Sequence, residues 1–195
     1  MSARPVNVLF LCTHNSARSI LAEATLNHIG KGRFQAFSAG SSPRENQQPN
    51  PLALQVLNNA GIPTEDLRSK SWDEFGQPDS PEVRRAGPPQ ASTAPSGGSA
   101  LHEVKSVGVV MDLVITVCDN AAGEVCPYWP GQPATAHWGY ADPSEVKGTD
   151  AQKLEAFRQT LLAIRRRLDI LINLPPEKLE QAMVQQTARD LAGKA

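Results

Sequence analysis

Between Val6 and Ser19 the chain reads V-N-V-L-F-L-C-T-H-N-S-A-R-S. An apolar strand runs straight into a cysteine, five residues, an arginine and a serine, and no other stretch restricts the fold as tightly. Val6 and Val8 to Leu11 have the unbroken apolar character of a strand buried in a parallel sheet. Ala17 to Gly30 predicts a helix, with Leu21, Ala24, Leu26 and Ile29 facing inward and Gly30 as its stop. Strand, short loop and helix in that order gather the loop amides at a helix N-terminus, which suits a tetrahedral anion. The candidate anion-binding residues are Thr13, His14, Asn15, Ser16, Ala17, Arg18 and Ser19. The same field favours thiolate over thiol, so Cys12 is expected to have a lowered pKa and to act as a nucleophile near neutral pH. Arg18 supplies a planar fork for two anion oxygens. Asn15 suits the left-handed backbone of a tight loop, and the Ser19 hydroxyl is placed to donate to the sulfur. His14 reads equally as a loop-shaping residue, an anion contact or an exposed side chain. A lone strand-end cysteine would read as packing; the combination is what points to chemistry.

A chain of 195 residues fits one domain with an appendage. Its net charge of −1 gives no basic field for nucleic acid or an anionic membrane surface. No apolar run approaches the ~20 residues of a membrane span. Met-Ser-Ala-Arg-Pro leads at once into the first strand and leaves no room for a signal peptide, so a cytoplasmic location is expected. In a reducing compartment three cysteines read as thiol chemistry, one nucleophile plus a pair, before they read as a structural staple. Zinc is the weaker reading, because no fourth ligand lies at the usual spacing.

Farther along, Arg33 to Ala39 alternates like a second strand and Ser41 to Asn50 reads as a polar loop. Asn50 caps a helix from Pro51 to Ala60, with Leu52, Val56 and Leu57 inward. Ser71 caps a possible helical turn through Trp72, Asp73 and Glu74. Pro, Gly, Ser and Ala then dominate to about Gly108, which reads as a flexible surface insertion over residues 77–108. Leu113 to Val117 predicts a third strand and Thr135 to Trp138 a short fourth one. Asp150 is read as the cap of a long helix to about Leu171, with Leu154, Phe157, Leu161, Ile164, Leu168 and Leu171 inside. Pro175 and Pro176 open a final helix to about Leu191. Alternating strands and helices imply an α/β, three-layer sandwich on a mainly parallel four-stranded sheet. The domain is expected over residues 1–174, with a C-terminal helical extension over residues 175–195.

Ligands of such sheets sit outside the carboxyl ends of the strands, and both Cys12 and Cys118 fall at that edge. The segment Cys118 to Cys126 reads C-D-N-A-A-G-E-V-C. On a straight helix, eight residues span ~12 Å, so these two sulfurs pair only if the segment bends or unwinds. Taken singly, Cys126 reads equally as a small buried apolar residue. Set beside Cys12, the pair reads as a thiol relay. Asp142, on the proline-stiffened segment Trp138 to Pro143, could protonate a departing oxygen if that loop folds over the Cys12 cup. By spacing alone it is an ordinary turn aspartate. His137 reads as a packed or loop-bracing residue, and Arg165 to Arg167 as the wet face of their helix.

On these residues the chain resembles the low-molecular-weight tyrosine phosphatase fold family and, within it, the thiol-coupled arsenate reductases. Cys12, Arg18 and Ser19 with Asn15 mark the whole family. Cys118-Asp-Asn, Cys126-Pro127, His137-Trp138-Gly139 and Asp142-Pro143 resemble the reductase branch. The likeness covers about residues 5–75 and 110–172. It implies Cys12 as nucleophile, Arg18 and the loop amides as oxyanion binders, Asp142 as general acid, and Cys118 and Cys126 as a redox pair. Arsenate would be reduced to arsenite through a Cys12 adduct, with the disulfide returned by thioredoxin or glutaredoxin and no bound cofactor, and phosphate would inhibit. Some relatives hold a potassium ion beside the loop, and the matching positions are Asn15, Glu23, Ser38 and Asp73. The pair here is separated by seven residues, and the insertion replaces a short link.

Two other functions use the same loop. A phosphatase acting on phosphotyrosine or a small phosphomonoester needs only Cys12, Arg18 and Asp142. It would offer aromatic walls to a ring substrate, whereas the loop from Ser41 to Asn50 has none and Ser144 follows Asp142-Pro143. A non-catalytic oxyanion or redox sensor, with the insertion as its partner segment, has no use for Asp142.

Overall fold

Seven residues, Val6–Cys12, form strand β1, and Val8 to Cys12 are all buried. That burial follows from position. β1 is flanked on one side by β2 (Phe34–Gly40), in register from Val6 opposite Phe34 to Cys12 opposite Gly40. On the other side lies β3 (Leu113–Thr116), from Val8 opposite Leu113 to Leu11 opposite Thr116. The short β4 (Ala134–His137) extends the sheet beyond β3, giving the order β2-β1-β3-β4 with every pairing parallel. The computed structural model describes residues 4–75, 109–118 and 133–180. The chain therefore adopts the expected α/β architecture on a four-stranded parallel sheet. β3 stops one residue earlier than expected, and β4 covers Ala134–His137 where Thr135 to Trp138 was expected.

Side chains alternate across the pleat. Val8, Phe10 and Cys12 join a core with Ile115, Val117 and three helices, while Leu9, Leu11 and Val114 meet Phe75 and Met111 on the opposite face. The helices are α1 (Arg18–Ile29), α2 (Pro51–Asn59) and α3 (Asp150–Asn173). Asn50 caps α2 as expected, its side chain accepting from Leu52 N at 2.9 Å. α3 buries Phe157, Leu161, Ile164, Leu168 and Leu171, the expected stripe, although Leu154 is only partly buried.

Two helix expectations are corrected. Thr149, and not Asp150, caps α3, because Gln152 stands three residues on and closes a reciprocal capping box with it. On α1 every residue from Ser19 to Leu26 is buried, not one stripe, because β1, β2, α2 and α3 all pack against this helix. At the far end of α3 the Arg33 guanidinium donates to the carbonyls of Ile172 and Leu174 at 2.8 and 3.0 Å, taking up acceptors the helix cannot satisfy itself. Residues 176–180 are helical. The continuation expected to Leu191 and the insertion over residues 77–108 lie outside the described residues. Among the described residues no helix is long and apolar enough to cross a membrane.

Candidate active site

The loop from Cys12 to Ala17 is built by its carbonyls. Ser41 N donates to Cys12 O at 3.0 Å, Ser42 N to Thr13 O at 2.8 Å, Ser69 Oγ to Asn15 O at 2.7 Å and Asn50 N to Ser16 O at 2.8 Å. Four neighbouring donors thus turn the carbonyls outward, which leaves N–H groups to line the inside of the turn. Asn15 has φ of 53°, the left-handed value that its residue type was expected to supply. α1 begins at Arg18 with no side-chain cap and no acidic residue in its first turn, so its leading amides suit an external anion.

Gly40 sets how closely β2 approaches this loop. A Cβ there would stand 2.7 Å from Thr13 O, 3.0 Å from His14 C and 3.1 Å from Asn15 N. All three are backbone atoms and cannot swing away. Gly40→Ala is expected to cost about 1–3 kcal/mol and to lower turnover by ~10²-fold through displacement of the loop. Thermal melting and steady-state kinetics on one preparation check both.

Cys12 is 4% exposed. Its sulfur lies 2.8 Å from Ser19 Oγ and accepts from Asn15 N at 3.1 Å. The expected lowering of its pKa is reversed. Burial pushes the thiol up, and the nearby Cys118 adds to this, while the Ser19 hydroxyl and the amides of Asn15 and Ser19 oppose it. The loop field does stabilise the anion, but loss of hydration outweighs it in the free protein.

Arg18 and Asp142, 124 positions apart in the sequence, meet. Arg18 Nη2 donates to Asp142 Oδ2 at 2.6 Å and Nη1 to the Tyr140 carbonyl at 2.9 Å. Asp142 is also the turn aspartate of the plainer reading: its Oδ1 accepts from Ser144 N at 3.0 Å and caps a 3-10 turn over Pro143–Glu145. Arg165 to Arg167 are exposed, the wet face expected of them, and the Arg167 guanidinium also lies 4.8 Å above the ring of Tyr140, the residue whose carbonyl holds Arg18. His14 Nδ1 is 3.0 Å from the Ser42 carbonyl and His137 Nδ1 is 2.8 Å from Thr116 Oγ1, so the first braces backbone and the second a neighbouring strand's side chain.

Cys118 is buried at the end of β3, its sulfur 3.6 Å from Thr13 Oγ1. It is a free cysteine, as is Cys12. Cys126 lies outside the described residues.

The four potassium positions are only partly brought together. Asn15 Nδ2 donates to Ser38 Oγ at 2.8 Å, and Ser38 Oγ donates to Glu23 Oε2. Asp73 instead accepts from Ser71 Oγ at 2.7 Å in its own exposed cap. The Lys70 ammonium, 3.3 and 3.2 Å from the two Glu23 oxygens, holds the place beside that carboxylate. The residues therefore do not fit the expected ion. Local pattern could not reveal Lys70: it stands in the polar stretch S-K-S, and its partner is 47 positions away. Among the described residues no group of three or more His, Cys, Asp or Glu side chains could hold a metal ion.

The profile of the low molecular weight phosphotyrosine protein phosphatase family matches residues 7–79. An arsenate reductase of Bacillus licheniformis is 30% identical over 162 residues, covering 83% of this chain and 91% of that one. Among solved structures, an arsenate reductase of Archaeoglobus fulgidus aligns with a TM-score of 0.55 at 23% identity, over 86% of this chain and 99% of that one. A low molecular weight phosphotyrosine phosphatase of Vibrio cholerae aligns with a TM-score of 0.56 at 19% identity, over 86% and 95%. These two likenesses are of fold.

Proposed function

The chain belongs to the arsenate reductase family built on the low-molecular-weight phosphotyrosine phosphatase fold, and from that premise we propose that it reduces arsenate to arsenite with its own thiols. Arsenate enters the loop, where N–H groups and the Arg18 fork offset its charge. To reach the anion, Arg18 lets go of Asp142 and the Tyr140 carbonyl. Asp142, freed of the guanidinium, takes up a proton from solvent and delivers it to the departing oxygen. The proton that burial holds on Cys12 passes to the incoming dianion, so sulfur attacks arsenic as thiolate and water leaves.

Cys118 next attacks the Cys12 sulfur. The sulfur–arsenic bond breaks with its electron pair kept by arsenic, which departs as arsenite, and a Cys12–Cys118 disulfide forms. Cys126 attacks Cys118 in turn and releases Cys12. An external dithiol protein of the thioredoxin or glutaredoxin kind then reduces the Cys118–Cys126 disulfide. Phosphate fits the same loop but is not reduced by thiols, so it competes. No resident cofactor enters this sequence.

The observation that carries the reading is the second sulfur, 3.6 Å from the hydroxyl of the residue that follows the nucleophile. A phosphatase needs no thiol there. Purified protein supplied with arsenate, thioredoxin, thioredoxin reductase and NADPH is expected to oxidise NADPH only when arsenate is present, and more slowly with added phosphate. Hydrolysis of a phosphomonoester without arsenate-dependent oxidation would assign the chain to phosphatase chemistry instead.

A further inference from the structure

Lysine is among the residues least often buried, yet Lys70 is 7% exposed. Its ammonium meets both Glu23 oxygens and, at 3.2 Å, the Arg68 carbonyl. Three oxygens around a single positive charge make a cation site whose cation is part of the chain. From there a continuous set of hydrogen bonds reaches the nucleophile. Ser38 Oγ donates to Glu23, Asn15 Nδ2 donates to Ser38 Oγ at 2.8 Å and to Ser19 Oγ at 2.9 Å, and Ser19 Oγ lies 2.8 Å from Cys12 Sγ.

Counting protons shows which groups have one to give. The Asn15 amide gives both its N–H groups to hydroxyls, so Ser38 and Ser19 each accept one bond and have one proton left to give. Ser38 gives its proton to Glu23, and Ser19 has a proton to give to the Cys12 sulfur once that sulfur is a thiolate. The arrangement needs Glu23 as an acceptor, hence as a carboxylate. Burial pushes the Glu23 carboxyl pKa up, and Lys70 is the largest opposing influence, with Ser38 and the more distant Arg68 adding to it. The main chain of Lys70 completes the frame: its N donates to Asn15 Oδ1 at 2.7 Å and its O accepts from Gly40 N at 2.8 Å.

We infer that Lys70 is a positioning residue that replaces a potassium ion, its ammonium holding Glu23, Ser38 and Asn15 in the arrangement that aims the Ser19 hydroxyl at the Cys12 sulfur. The inference rests on the proposed function only in taking Cys12 as the nucleophile. Its test compares the full-length protein in potassium chloride and in choline chloride at equal ionic strength. Wild-type melting temperature and arsenate turnover should be the same in both salts. In choline, Lys70→Ala should melt several degrees lower and lose about 10-fold in kcat with little change in KM. Potassium or ammonium, but not lithium, should restore most of both losses.

A wild-type protein that gains stability or turnover from potassium would overturn the inference. So would a Lys70→Ala variant that potassium fails to rescue, or one that matches wild type in choline. If the alanine variant does not fold, Lys70→Arg serves in its place, and the wild-type comparison decides without any variant. Melting does not depend on arsenate chemistry. Absence of turnover in every salt would therefore count against the proposed function while melting alone decided the role of Lys70.

Discussion

Arg18→Ala is expected to lower kcat/KM for arsenate by about 10³-fold, and Arg18→Lys by nearly as much. The two ends of the guanidinium reach a carboxylate oxygen at 2.6 Å and a carbonyl at 2.9 Å. A planar fork that spans two acceptors in the free protein can turn both donors to two oxygens of one anion. An ammonium is a point charge and supplies neither the spacing nor the second parallel bond. Stability should respond far less. The ion pair is partly buried, with side-chain exposures of 14% and 25%, and Asp142 keeps its bonds to Ser144 when Arg18 is gone. A loss of about 1 kcal/mol in denaturant unfolding is expected, set against a thousandfold loss in catalysis. Steady-state kinetics beside an unfolding curve would separate the two. Equal activity in Arg18→Lys and wild type would remove Arg18 from the chemistry.

Cys118→Ser is expected to reduce thioredoxin-coupled arsenate turnover by about 10³-fold or more, because a hydroxyl does not attack a sulfur–arsenic adduct as a thiolate does. The substitution changes little in shape, so a site 2% exposed should keep its packing. Any phosphomonoester hydrolysis by wild type should survive in this variant, since it uses Cys12, Arg18 and Asp142 alone. That split is the informative result. Loss of both activities would mean that residue 118 merely supports the loop through its contact with Thr13. Retention of arsenate turnover would move the second sulfur's role elsewhere.

The parts of the site that were legible in the sequence are those written locally. β1, the left-handed Asn15, the Asn50 cap before Pro51 and the Ser71 cap each follow from neighbours within a few positions, where backbone preference decides. The Thr149 cap was also written locally, as T-x-x-Q, but Asp150 beside it is an equally good capping residue type. What could not be read depends on partners far along the chain. Lys70 meets Glu23, Arg18 meets Asp142, and Arg167 meets Tyr140 only once the sheet has formed. Helix α1 misled for the same reason. Its inner face was expected to be Leu21, Ala24, Leu26 and Ile29, yet Ser19 and Glu23 are buried as well, held in the polar network behind the loop, and Thr25 is buried with its hydroxyl on the Leu21 carbonyl. The raised thiol pKa of Cys12 was hidden too, since burial to 4% exposure is a property of the whole fold and not of the loop.

The pairing of β1 with β3 carries a consequence for how such a chain tolerates change in length. Leu11 stands opposite Thr116, and Val117 N donates to Leu11 O at 2.8 Å, so Cys12 follows the last paired rung by one residue and Cys118 by two. One residue added or removed within either strand would slide its thiol by about 3.3 Å and turn it to the opposite face of the sheet. Insertions and deletions between residues 113 and 118 should therefore uncouple the two sulfurs while both remain in place in the sequence, which makes strand length a heritable ruler for the distance between them.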